Sequence, residues 1–445
     1  MSNIAKNDPK TIFGWAMYDW ANSAYITTFA AIVAAFFTGV IAPENGYRGY
    51  SGQTLWSAII SIGAIILFLA MPVLGAIADY TSAKKKFLRF FAWFGALTTV
   101  AISLVPSGSV PLFLFVVVMT QIGFVAANVF YDGFLPEISD DETIDRVSSK
   151  GYALGYVGGG LYVLLAFVLI VLSGDDSVTG LSVESASRIG IAGAGVWWVV
   201  FANFALRRLP DETIPDHVPE RFRSRSLWVG LLRLGFSRTV ATGRKLLGFK
   251  QLMLFVIAYL FYNDGVQTVI AVTGAYAEET LGLGTTEIII VFLITQFVAY
   301  FGALSFGWLA SRVSAKRAIL ISLVVWAMAV GSAYFLPEGD ALPLYGLAVI
   351  VGFVLGGVQA LSRSLYGTMI PEEAAAEFYG FYSVFSKFSA IWGPLVFALV
   401  SNATGSGRPA ILSIVAFFVI GFVLLSRVDI AEARASRERW VFENA

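Results

Sequence analysis

Apolar and polar positions in this chain do not alternate; they fall into long apolar blocks separated by short polar ones. A block of roughly 20 apolar residues matches a hydrocarbon core about 30 Å thick, crossed at about 1.5 Å per residue. Twelve such blocks occupy residues 12–41, 55–78, 87–106, 111–135, 147–172, 188–208, 250–273, 285–310, 316–336, 342–367, 378–401 and 409–427. Continuous runs of this kind are not the alternating segments of about 10 residues that build a membrane barrel. The pattern predicts an all-α integral membrane protein. The polar stretch from Arg207 to Phe249 splits the spans six and six. It suggests residues 1–208 as one bundle, 209–249 as a cytoplasmic linker, and 250–445 as a second bundle with a tail.

Composition agrees with that picture. The 445 residues are 57 % hydrophobic and 13 % charged, with mean hydropathy +0.75, whereas soluble domains carry about 25 % charged residues. The formal net charge is zero, which by itself rules out no partner, although no nucleic acid is expected. The absence of cysteine removes disulfides and thiolate chemistry. His217, the single histidine, reads as a solvated linker residue with no second ligand beside it, so no metal or cofactor is expected. Met1 to Lys10 is polar and lacks a small-residue cleavage site, so the first block is expected to remain as a helix.

An even number of spans puts both termini on one side. Lys84, Lys85, Lys86, Arg89, the basic residues of the linker, Arg312, Lys316, Arg317 and the tail from Arg434 to Arg439 share that side; Arg48, Arg188 and Arg408 face the other. By the positive-inside rule the termini are cytoplasmic. Within the linker, Leu227 to Leu247 mixes apolar residues with Arg233, Arg238, Arg244 and Lys245 just after Arg225. It reads as a basic amphipathic helix anchored on the membrane surface.

Candidate chemistry lies in polar residues set inside apolar spans. In Tyr18-Asp19-Trp20-Ala21-Asn22-Ser23-Ala24-Tyr25 an Asp in the hydrocarbon region costs about 2.5 to 3.5 kcal/mol on insertion scales. Helical spacing puts Asp19 beside Asn22 and Ser23, with Tyr18, Asn22 and Tyr25 on an adjoining stripe. Such a side lines a wet cavity or forms a polar packing seam. Gln121, Asn128 and Asp132 share a face of the fourth span. Tyr259, Asn263 and Gln267 share one in the seventh, with Asp264 and Thr268 beside it. Gln359, Arg363 and Tyr366 align in the tenth, and Ser383 and Lys387 are one turn apart in the eleventh.

Depth divides these residues, since Asp264 and Lys387 lie deep whereas Asp132 and Arg363 lie near the cytoplasmic ends. A substrate site is therefore expected at Tyr18, Asn22, Tyr25, Gln121, Tyr259, Asn263, Asp264, Gln267 and Lys387. There Asp264 and Lys387 would take the ammonium and carboxylate of a zwitterion, or else neutralise each other. Asp19, Asp79, Asn128, Asp132, Gln359 and Arg363 are expected to gate or couple, with Asp19 and Asp264 the candidates to carry a proton. Gly155, Gly158, Gly159 and Gly160, and Gly352, Gly356 and Gly357, permit close helix approach, for rocking bundles or for static packing.

Several motifs carry a family resemblance. Gly75-Ala76-Ile77-Ala78-Asp79-Tyr80 followed by Lys84-Lys85-Lys86 resembles the signature loop of the major facilitator superfamily. Gly307-Trp308-Leu309-Ala310-Ser311-Arg312 keeps the glycine and the base but has Ser311 in place of the acid. A faint repeat pairs Leu135-Pro136-Glu137 with Ile370-Pro371-Glu372 and Tyr18-Asp19 with Tyr262-Asn263-Asp264. The segments 18–25, 128–136, 147–156, 262–268 and 359–366 together resemble the autophagy-related vacuolar effluxer family and its bacterial relatives, a branch of that superfamily.

The resemblance runs from about Trp15 to Pro394. It implies twelve helices in two pseudo-symmetric six-helix bundles, and efflux of amino acids, leucine among them, as attributed to the vacuolar members. It suggests a monomeric secondary transporter of a small molecule in a bacterial plasma membrane, with protons as the candidate coupling ion. No nucleotide-binding loop supports a primary pump, and no nucleophile with a base supports an embedded enzyme. The alternatives are efflux of hydrophobic drug-like or lipid-like compounds, and a receptor or scaffold that transports nothing.

Overall fold

The computed structural model describes residues 5–43, 46–174, 178–211, 227–246 and 248–439. Among them every regular element is a helix, and one isolated bridge joins Tyr47 and Tyr50. Twelve of the helices are long and apolar enough to cross a membrane. In chain order they are α1 Pro9–Ile41, α2 Gly52–Tyr80, α3 Lys84–Leu104, α4 Val110–Ile138, α5 Ile144–Val171 and α6 Val183–Leu206, then α8 Lys250–Thr280, α9 Thr285–Val313, α10 Ala315–Ala333, α11 Leu342–Met369, α12 Glu372–Thr404 and α13 Gly407–Ser426. The linker helix α7 is Leu227–Leu246 and the tail helix α14 is Ile430–Glu438.

Local chemistry sets the helix starts. Asp8 caps α1 by accepting from the Thr11 N–H at 2.8 Å, with Pro9 in the first turn, and Ser51 and Ser182 cap α2 and α6 in the same way. In the second half of α1, Phe29–Val33 and Phe37–Ile41 widen into π-helical turns.

The core is divided. One buried cluster draws on residues 246–433; two others draw on residues 15–209, joined by Ala376 alone from the second half. Lys6 bonds the Pro136 carbonyl and Glu372, and Arg437 bonds Asp141 and the Thr368 carbonyl. Both described ends of the chain therefore lie on one face of the bundle, here the terminal face. His217, the linker from residue 212 to Arg225 and the last six residues lie outside the described residues.

The halves meet mainly toward the terminal face. There α2 packs on α12, and the backbones come so close that a Cβ at Gly75 would run into the Ala376 carbonyl. Likewise α5 packs on α9, where a Cβ on Gly307 would lie 2.5 Å from Ser149 Oγ. Toward the far face α2 and α12 separate. Ile62 and Ile65 are exposed, Gly393 is the one buried residue of Trp392–Thr404, and no hydrogen bond or ring contact joins residues 52–66 to 389–404 among the described residues. On the α2–α12 side the result is a cleft closed at the terminal face and open at the other, while α5 and α9 stay in contact beyond mid-span, with Gly160 against Gln296 and Phe297.

Two details differ from the expected pattern. The eleventh span is not continuous: α12 breaks into Ala375–Phe388 and Trp392–Thr404. Asp264 caps the second piece, accepting from the Gly393 N–H at 2.8 Å, while Asn263 bonds the Ser389 hydroxyl inside the break. Nor is α7 simply laid on a membrane surface. Leu231 and Leu234 are buried, and Gly235 sits against Ile77 and the Val73 carbonyl of α2, because one apolar face of α7 finds a protein partner.

The break fixes an expectation for stability. A Cβ at position 393 would meet Thr268 Oγ1 and Asp264 Oδ1, so Gly393→Ala should cost about 1–3 kcal/mol through overpacking and lower the melting temperature of the purified protein. Gly346→Ala, where nothing lies within 4 Å, should lose none.

Candidate functional site

The floor of the cleft is one guanidinium shared between the halves. Arg363 on α11 is buried, and its Nη1 lies 3.2 Å from Asp19 Oδ2 on α1 and 3.1 Å from Asp132 Oδ1 on α4. Its Nε donates to Ser148 Oγ at 3.0 Å and its Nη2 to the Ser148 carbonyl on α5 at 2.9 Å. Trp15, Tyr131 and Tyr152 surround it, their ring centroids 4.8, 5.5 and 4.2 Å from the guanidinium carbon. Every charged partner of this α11 residue thus comes from the first bundle. Tyr131 donates to Asp19 Oδ2 at 2.8 Å, and Tyr379 donates to the Arg363 carbonyl at 3.0 Å. Two carboxylates face one guanidinium, which leaves the cluster one negative charge in excess if all three are ionised.

Above this floor lies a cavity of about 210 Å³. Its polar lining is rich in amides: Asn22 and Asn128 from the first half, Gln296 and Gln359 from the second. Asn22 donates to Asn128 Oδ1 at 2.6 Å and Tyr156 to Gln359 Oε1 at 3.0 Å. Ser23, Thr27, Phe124, Tyr152 and Tyr156 complete the wall together with Asp19, Asp132 and Arg363.

Below the floor a second set of contacts closes the terminal face. Asp79, at the end of α2, accepts from the backbone N–H groups of Ala376 at 3.3 Å and Glu377 at 2.8 Å, at the start of α12. Lys84 lies 3.3 Å from Asp79 and also bonds Glu137. Ser148 donates to the Ala360 carbonyl at 2.7 Å and Ser364 to Asp145 at 2.6 Å. In the second half, Ser311 only turns back to its own Trp308 carbonyl, so no acid repeats the role of Asp79 there.

The family described as vacuole effluxer Atg22 like matches residues 7–438. The chain is also 34 % identical over 416 residues to the uncharacterized MFS-type transporter YxiO of Bacillus subtilis, covering 93 % of this chain and 94 % of that protein. The chain belongs to the Atg22-like family. Autophagy-related protein 22-1 of Neosartorya fischeri is 24 % identical over 306 residues, 65 % of this chain and 49 % of that protein, so the match spans about half of that relative. Among solved structures, the proton:xylose symporter XylE superposes with a TM-score of 0.69 at 16 % identity, covering 96 % of this chain and 98 % of that one. This Atg22-like protein is thus a transporter of the major facilitator superfamily.

The Atg22-like chain distributes the residues singled out in its sequence unevenly. Asp19, Asn22, Asn128, Asp132, Gln359 and Arg363 line the cavity together. Tyr18 and Tyr25 are buried inside the first bundle, Tyr18 beside Tyr131 and Tyr25 among Phe29, Phe124 and Trp198. Tyr259 and Tyr262 are buried in the second, stacked on Tyr382 and bonded to Ser362 respectively. Gln121 lies against Gly63 of α2, and Gln267 is half-buried outside the cavity lining.

Asp264 and Lys387 are not brought together. The carboxylate of Asp264 serves the α12 break, while Lys387 is exposed and its ammonium makes no hydrogen bond or ion pair among the described residues. Lys387 lies seven residues from Gly380, which abuts Met71 and Pro72 of α2, so it projects from the side of α12 that faces the first bundle. Gln296 had a usable signal, an isolated amide in an apolar span. Tyr152 and Tyr156 stood in a recognised motif, but nothing local marked them as wall residues.

Arg363→Ala leaves Asp19 and Asp132 facing each other without a cation, and the expected loss is about 3–5 kcal/mol. Adding Asp132→Asn should recover part of that loss, measured by thermal melting of the single and double variants.

Proposed function

We propose that this protein is a secondary transporter of small zwitterionic solutes, amino acids or related metabolites, working by alternating access in a bacterial plasma membrane with its terminal face in the cytoplasm. On this reading the open cleft faces outward and the Arg363 cluster is the closed inner gate. The observation that carries the proposal is that Arg363 takes all of its charged partners from the opposite bundle. Such a bond can only be made when the terminal face is shut.

The expected pairing of Asp264 with Lys387 gives way to a different one. A substrate carboxylate would meet Lys387, while its ammonium would turn to the excess negative charge of Asp19 and Asp132. The amides Asn22, Asn128, Gln296 and Gln359 would hold the remaining polar atoms, with Phe124, Tyr152 and Tyr156 against the side chain.

A proton can cancel that same excess charge. A site that holds either a proton or an ammonium group, but not both, carries one inward as it carries the other outward. This competition supports proton-driven efflux over co-transport. It also gives Asp19 and Asp132 the coupling role and leaves Asp264 as a structural cap.

Purified protein in liposomes loaded with a labelled amino acid mixture tests the proposal. An inward proton gradient should accelerate release. Asp132→Asn should abolish the acceleration while retaining exchange of amino acid for amino acid, and Lys387→Ala should weaken both. Flux of hydrophobic cations without any of amino acids would overturn the zwitterion assignment, and release indifferent to the gradient would overturn the coupling.

A further inference from the structure

The linker helix α7 has two apolar faces, and the protein covers only one of them. On the inner face Leu231, Leu234, Thr242 and Leu246 are buried, and Gly235 rests on Ile77 and the Val73 carbonyl of α2. Arg238, on the same face, places its Nε 4.0 Å from Glu377 Oε2 and its guanidinium carbon 5.4 Å from the Tyr80 ring centroid. Glu377 is wholly buried in the first turn of α12. The inner face of α7 therefore grips the ends of α2 and α12 at once. Those two ends are drawn together by Asp79, and they must part if the cleft is to open at the terminal face.

At 3.6 residues per turn, Val229, Leu232 and Phe236 fall on the opposite side of α7, with exposures of 41, 52 and 65 %. Arg233 and Arg244 flank them, both exposed and neither in an ion pair among the described residues. Depth says what this outer face meets. Val73, against which the helix rests, lies seven residues or about 10 Å inside the end of α2 at Tyr80. Three large apolar side chains at that level stand where headgroups give way to acyl chains, and the two arginines are placed for lipid phosphates.

We propose that α7 is a lipid-sensing clamp. Its outer face seats Phe236, Leu232 and Val229 in the membrane interface with Arg233 and Arg244 on anionic headgroups. Its inner face holds α2 and α12 together through Arg238 and Glu377. Anionic lipid thereby favours the state closed at the terminal face. The inference rests on the alternating-access reading and adds to it a control by membrane composition.

The full chain contains no cysteine, so spin labels can be placed at Lys86→Cys and Glu373→Cys, exposed positions on opposite halves of the terminal face. Electron paramagnetic resonance distances are then compared in nanodiscs of phosphatidylcholine alone and of phosphatidylcholine with phosphatidylglycerol. The short-distance population should rise with phosphatidylglycerol. The rise is up to about fivefold in the closed-to-open ratio per arginine, equivalent to roughly 1 kcal/mol for each basic side chain at an anionic surface.

Arg233→Gln with Arg244→Gln should remove the lipid response, and Arg238→Gln should favour the long distance in both bilayers. Wild-type distances that ignore phosphatidylglycerol, or a double variant that keeps the full response, would overturn the clamp. Amino acid flux measured in parallel separates this from the transport reading. Flux without a lipid effect rejects the clamp alone, and a lipid-dependent distance without flux upholds the clamp and rejects the transport assignment.

Discussion

A guanidinium cannot stand alone at the depth of Arg363. In hydrocarbon, an unpaired charge is costly enough that the side chain must find anionic partners, hydrogen-bond acceptors or water. Here the partners are Asp19, Asp132 and Ser148, all on the other bundle. Closure of the terminal face and satisfaction of this charge are one condition. When the bundles part at that face, water has to take over at Arg363 and at both carboxylates. On the alternating-access reading proposed above, the position of the aqueous path would depend on the electrostatics of a single residue, and that would give two discrete states instead of a continuum.

The backbone is arranged to let that contact form. Gly75 brings α2 against the backbone of α12, and Gly307 leaves room in the α5–α9 seam for the Ser149 side chain. Asp79 adds a carboxylate to the free N–H groups at the start of α12, where the helix dipole favours negative charge. These are small surfaces with strong directional contacts. The second half keeps the glycine but has Ser311 where an acid would sit, so the closure is asymmetric: the α2–α12 seam carries charge and the α5–α9 seam relies on shape.

Much of this was legible in the sequence. Twelve apolar runs of sufficient length follow from the thickness of a bilayer. Asp19, Asn22, Asn128, Asp132, Gln359 and Arg363 stood out because polar residues inside apolar spans have few places to go. The aromatic candidates misled for a related reason. Tyr18, Tyr25, Tyr259 and Tyr262 share helical stripes with polar residues, but a stripe reports one direction on one helix and not the neighbour that fills it. In a bundle of six, most such directions point at another helix. The break in α12 had a local signal that the expected continuous span ran across, since Gly393-Pro394 follows closely on Ser389-Ala390-Ile391. What the sequence did not show is that Asn263 and Asp264 arrive from α8 to satisfy it.

Asp264 and the Asp19–Asp132 pair show how the same side chain takes different duties in different surroundings. Asp264 is in no ion pair among the described residues; its carboxylate is met by the N–H of Gly393 and the positive end of a half-helix. Removing that carboxylate would leave backbone donors unsatisfied inside the membrane, a structural loss without a route for charge to move. The other pair is met by a guanidinium on the opposite bundle, and both carboxylates line the cavity. An acid held by its own bundle fixes the shape of a helix, whereas an acid held by the other bundle would change its environment each time the cleft changed sides. On the proton-coupled reading proposed above, coupling requires the second kind, and the place to seek the ion is the floor of the cleft and not the deepest carboxylate.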